Sequence, residues 1–282
     1  MNSNILISAA QLNDLIQSGK CTVVDCRFDF SDALRGRADW ISGHIPGAAY
    51  ADLDKDLAAP VDDHTGRHPL PEADKFARFL ASAGWSSGKL SVAYDGGSNA
   101  ISSRLWWLMQ YFGQPSALLD GGLAAWTAAG YPLEAGAPEQ KPAPVEELLP
   151  HQNMIVNSAG ILENLGSPGL TVLDARAVER FTGEVENLDT KAGHIPGALN
   201  RPFGSNLDST GCFRPPDELR AQFESLLGGE DVDHVVHSCG SGVTACHNLF
   251  AMELAGMDST RLYPGSWSEW IRDDDRPVET GR

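Results

Sequence analysis

Cys239 follows an apolar, β-branched stretch and opens the run CGSGVT, after which the residues take up a helical period. Gly240 and Gly242 let the backbone curl tightly, so that successive N–H groups can converge on one point. A helix opening near Val243 and Thr244 adds the positive end of its dipole. Such a cradle stabilises a thiolate and any anion attached to it, which makes Cys239 a candidate nucleophile. A small buried cysteine before a flexible turn would explain the glycines alone. It would not explain the order strand, cysteine, glycine loop, helix.

Other uses of these residue types fit less well. His237, Cys239, Cys246 and His247 have the chemistry of a zinc site, but the close CxxC pairs of structural sites are absent and Cys246 falls on the apolar face of the following helix. A cysteine phosphatase would use the same cradle, yet it needs an arginine six residues after the cysteine, where Ala245 stands.

The elements that must position this loop occur twice. GHIPGAAY around His44 recurs as GHIPGALN around His194, VVDCR at Asp25 as VLDAR at Asp174, and Gly121 and Trp126 reappear as Gly265 and Trp270. Collinear matches at separations of 150, 149 and 144 residues mean two copies of one unit. In each copy short β-branched runs alternate with helical patterns. Residues 170–174 and 233–238 read as strands and 216–227 and 243–256 as helices, with CTVVD, KLSVAY, 72–83 and 99–112 as their first-copy counterparts. The expected fold class is α/β: two tandem domains, each a mainly parallel sheet flanked by helices. The expected boundaries are 1–134 and 151–282, with 135–150, rich in Pro, Ala and Glu, as an extended linker. Asp95 stands in the first copy where Cys239 stands in the second.

A formal charge of -17 disfavours nucleic acid and anionic membranes as partners. No run approaches the roughly 20 apolar residues of a membrane helix, and the start MNSNILISAAQL lacks a basic segment followed by an apolar one. That start reads as no signal peptide, so a cytoplasmic protein is expected, and the five irregularly spaced cysteines read as reduced thiols. An anionic substrate would have to be held locally, by backbone amides and a few arginines, against the overall field. The tryptophans Trp106, Trp107, Trp126, Trp267 and Trp270 fit core and interface packing.

Taken together, HSCGSGVTACHN, the paired GHIPGA segments, LLDGGL and LYPGSWSEW resemble the two-domain rhodanese and mercaptopyruvate sulfurtransferase family over nearly the whole chain. The resemblance implies two similar α/β domains, with the cysteine of the second taking up sulfane sulfur as a persulfide. CGSGVT is similar to the mercaptopyruvate type of loop, whereas loops with basic residues go with thiosulfate. A small anionic donor and a cyanide, thiol or thioredoxin-like acceptor are implied, with no metal or organic cofactor. A thiosulfate:cyanide sulfurtransferase and a non-catalytic rhodanese-like binding module are the alternatives; the second would be expected to lack the cysteine.

Site residues follow from the same resemblance. Cys239 would be the nucleophile, and the backbone of Gly240, Gly242, Val243 and Thr244 would cradle the donor. Ser241 would relay a proton to the pyruvate enolate, or cap the following helix. Arg180 matches a substrate-binding arginine that would grip the donor carboxylate. A second arginine of the family has no match, its position falling on Asp189 or Leu188 with Lys191 the nearest cation; Arg176, matched by Arg27, fits a structural role. His44 is a candidate for assisting proton transfer, with Asp29, Asp32 or Asp39 as its partner. Because His194 occupies the same place, at least one of the two histidines must serve the turn.

Overall fold

Short segments of two to five residues, most of them built around apolar or β-branched side chains, become strands. In a computed structural model that describes residues 5–258 and 261–281 they pair into two parallel sheets. The first holds β1 (Leu6–Ile7), β2 (Cys21–Asp25), β3 (Ala49–Tyr50), β4 (Leu90–Tyr94) and β5 (Ser116–Leu119) in the order β1-β5-β4-β2-β3. The second holds β6 (Thr171–Asp174), β7 (Leu199–Asn200), β8 (Val235–Ser238) and β9 (Arg261–Leu262) in the order β7-β6-β8-β9. The counterpart of β1 is reduced there to one parallel bridge from Ile155 to Leu262.

Parallel neighbours need crossovers, and helices provide them. The first copy carries α1 (Ala9–Gln17), α2 (Arg35–Ser42), α3 (Ala73–Ser82), α4 (Ser102–Tyr111) and α5 (Gly122–Ala128). The second carries α6 (Ser158–Glu163), α7 (Val178–Thr182), α8 (Pro216–Leu227), α9 (Ala245–Leu254) and α10 (Ser266–Trp270). The five tryptophans singled out above are all buried, Trp126 in the first core and Trp267 and Trp270 in the second. No helix among the described residues is long and apolar enough to cross a membrane.

Two compact units result, and they depart from the plain repeat. The first comprises Met1–Ala59, Leu70–His151 and Ser209–Phe213; the second comprises Pro60–Pro69, Gln152–Asp208 and Arg214–Arg282. Within the second, the Arg67 N–H donates to Oγ of Ser268 at 3.0 Å. Gly66 lies so close that a Cβ would fall 2.4 Å from the Gly265 oxygen, which is why no larger residue fits there. Within the first, the Phe213 N–H donates to Asp120 at 2.9 Å. Residues 135–150 run without regular structure along the first unit, tied for example by Ala143 N–H to the Ala81 oxygen at 2.9 Å.

Candidate active site

The six residues after β8 are held chiefly by the turn that follows β9. The Cys239 N–H donates to Oγ of Ser266 at 3.1 Å, the Trp267 N–H to the Cys239 oxygen at 3.0 Å and the Ser268 N–H to the Gly240 oxygen at 2.9 Å. Ser266 has φ 52, a left-handed conformation that costs a non-glycine residue free energy. Its first-copy counterpart, Gly122, has φ 54. The second copy therefore accepts backbone strain in order to place a hydroxyl on the Cys239 amide. Gly242 is required twice over: its φ is 75, and a Cβ would meet the Pro264 oxygen at 2.3 Å.

Cys239 is buried, and the Gly242 N–H points at its Sγ from 3.2 Å. The helix opens later than expected. α9 begins at Ala245, so Val243 and Thr244 complete the turn, and Thr244 makes no side-chain cap. Ser241 does not cap the helix either; its Oγ lies 2.7 Å from Nδ1 of His68. The segment that carries His68 is fixed by the Arg67 and Gly66 contacts to the same 265–268 turn that braces the cysteine. His68 is buried, and the repeat does not signal it, because GRHP in the first copy has no histidine at the corresponding place in GCFRPP.

Arg180 approaches the loop as expected and Arg67 joins it, a Cβ on Gly240 falling 3.5 Å from Nη1 of Arg180 and 2.9 Å from Nη2 of Arg67. Lys191, the nearest cation in the sequence to the unmatched arginine position, has its ammonium paired with Asp274. Arg176 is structural: its guanidinium grips Asp174 and donates to the Gly193 oxygen at 2.8 Å, as Arg27 grips Asp25 and donates to the Gly43 oxygen at 2.7 Å.

His44 is committed to its own turn. It is buried in the first unit, its Nδ1–H donates to the Trp40 oxygen at 2.8 Å, and its backbone pairs with Glu134. His194 repeats each feature, with Nδ1 2.8 Å from the Phe181 oxygen and its backbone paired with Glu279. The carboxylate nearest the ring of His44 is that of Glu134, at 3.7 Å, rather than Asp29, Asp32 or Asp39. The histidine that touches Ser241 is His68.

In the first copy the cradle is occupied by its own side chain. Asp95 accepts from the amides of Gly97 at 3.0 Å and Asn99 at 2.8 Å with one oxygen, and from Ile101 at 3.0 Å with the other. The first-copy loop thus turns its amides onto its own carboxylate, and no thiol stands there.

A model of the Rhodanese-like domain family matches residues 8–129 and 159–273. A protein of Pseudomonas aeruginosa named "Probable 3-mercaptopyruvate sulfurtransferase" is 48% identical over 100% of both chains. The "Thiosulfate sulfurtransferase" of Bos taurus is 31% identical, covering 94% of this chain and 91% of its own. Among solved structures, the 3-mercaptopyruvate sulfotransferase SseA from Escherichia coli superposes with a TM-score of 0.81 at 31% identity, covering 94% of this chain and 100% of its own.

Proposed function

The chain belongs to the rhodanese-like domain family, and from that premise and the Cys239 loop we propose that it is a sulfurtransferase that takes sulfane sulfur from 3-mercaptopyruvate. In this reading the Cys239 thiolate attacks the donor sulfur. The C–S bond breaks with its electron pair left on carbon as pyruvate enolate, and Ser241, backed by His68, delivers a proton to that carbon. The outer sulfur of the persulfide then passes to cyanide, a thiol or a thioredoxin-like reductant, which restores the thiolate. Arg180 grips the donor carboxylate, and the loop backbone from Gly240 to Thr244 cradles the anion.

The observation that carries the choice of donor is the 2.7 Å contact between His68 and Ser241. A sulfite leaving group needs no proton at neutral pH, whereas an enolate does. Thiosulfate is the second reading, favoured by the two guanidiniums beside Gly240. None of the five cysteines is in a disulfide, which suits a reducing compartment, and the proposal assigns the enzyme to the cytoplasm. Steady-state sulfur transfer to cyanide tests it: kcat/KM should be higher with mercaptopyruvate than with thiosulfate, and the reverse order would overturn the choice of donor.

A further inference from the structure

Two guanidiniums flank the cysteine loop, and two carboxylates hold them. Asp189 spans both cations: one of its oxygens accepts from Nη1 of Arg67, and the other from Nη2 of Arg180 at 2.9 Å. Glu186 accepts from the same Nη2 at 2.9 and 3.0 Å. The carboxylates are nearly enclosed, each side chain 4% exposed, while that of Arg67 is 32% exposed. Arg67 is therefore open to an incoming anion and Asp189 is not. Burial and the neighbouring Arg180 lower the pKa of Arg67, while the Cys239 thiolate raises it, so the guanidinium is electrostatically coupled to the reacting sulfur. An arginine stays charged in such surroundings. With Arg67, Arg180, Glu186 and Asp189 all ionised, the group is neutral before any donor arrives.

We propose that Arg67 and Asp189 form a charge filter for the donor, with Arg67 as a second guanidinium for its anionic end and Asp189 restricting the site to donors of one negative charge. This rests on the sulfurtransferase reading. A monocarboxylate can be gripped by the arginines while Asp189 keeps its place. A dianion brings a second charge close to an enclosed carboxylate, where repulsion is far stronger than in water. A neutral side chain at position 189 removes that repulsion and leaves the arginines with one excess positive charge.

The test uses the full chain with Asp189→Asn, Asp189→Glu and Arg67→Gln, and Asp189→Ser as a second neutral variant should the asparagine fail to fold. In turnover, the ratio of kcat/KM for thiosulfate to that for mercaptopyruvate should rise about tenfold or more in the neutral variants and stay within about threefold of wild type in Asp189→Glu. Binding is read separately by calorimetry in a Cys239→Ser background, with pyruvate and sulfate as probes of one and two charges. Sulfate affinity should rise about tenfold or more on neutralising Asp189, pyruvate affinity should change by less than about threefold, and Arg67→Gln should weaken both. The filter is overturned if the asparagine and glutamate variants behave alike, if both anions gain equally, or if sulfate fails to bind the neutral variants. Discrimination in binding without sulfur transfer by the wild type would sink the sulfurtransferase reading and leave the filter standing; transfer without discrimination would do the opposite.

Discussion

Nδ1 of His68 lies 2.7 Å from Oγ of Ser241, two residues separated by 173 positions in the chain. If the pair relays a proton to the leaving enolate, His68→Asn and Ser241→Ala should each lower kcat for mercaptopyruvate by about 10²-fold and leave thiosulfate within about threefold. The double variant should be no slower than the worse single one, since the two act as one unit. Steady-state kinetics with both donors checks this, and independent, additive losses would dissolve the relay.

Cys239→Ser should abolish sulfur transfer and keep the fold, because a hydroxyl cannot hold sulfane sulfur. Intact-mass spectrometry after donor addition should find one extra sulfur on the wild type and none on the variant. Sulfur carried by Cys246 instead, whose thiol donates to the Gly242 oxygen at 3.4 Å, would reassign the nucleophile.

Arg180→Ala should raise KM for mercaptopyruvate about tenfold or more, the loss of a charged, hydrogen-bonded contact costing about 1.5 to 3 kcal/mol. An unchanged KM would mean that Arg180 serves only its ion pairs with Glu186 and Asp189.

Asp95→Cys should not open a second site. The amides of Gly97, Asn99 and Ile101 lose their acceptor, so the change should cost about 3 kcal/mol. Calorimetry should show a lower unfolding temperature, and a Cys239→Ser/Asp95→Cys protein should stay inactive. Recovery of activity near the wild-type level would show that the loop sequence matters little.

His237 is fully buried, and burial pushes its pKa down from 6.5 to about 3. The folded protein therefore binds fewer protons there than the unfolded chain. The contribution to stability is complete above pH 6.5 and is lost as the pH falls towards 3. Between pH 7 and pH 5 this histidine alone should account for about 2 kcal/mol. His237→Leu should flatten the acid limb of a stability profile measured by urea unfolding, and an unchanged slope would contradict the assignment.

The strand–cysteine–loop–helix order and the duplication were legible because they are local patterns, and local patterns repeat. The same property bears on His44, which recurs as His194. Both histidines bond alike to a carbonyl of their own copy, Trp40 and Phe181, so the shared turn accounts for what the two have in common. His68 and Arg67 lie in GRHP, whose distinguishing feature is that it does not recur. Their approach to the cysteine loop depends on Gly66 and Ser268, a long-range packing that no periodicity encodes. α9 starts two residues later than the helical period implies because Val243 and Thr244 fit that period while their backbone still belongs to the turn.

The inclusion of Pro60–Pro69 in the second compact unit has a consequence for heredity as well as for chemistry. A gene cut at the linker would deliver Cys239, Ser241 and Arg180 on one product and His68 and Arg67 on the other. The copy that carries Cys239 is thus not completed by its own stretch of sequence alone. On the proposed mechanism, the relay and the second guanidinium are encoded in the copy without the cysteine, so discarding that copy should disarm the other.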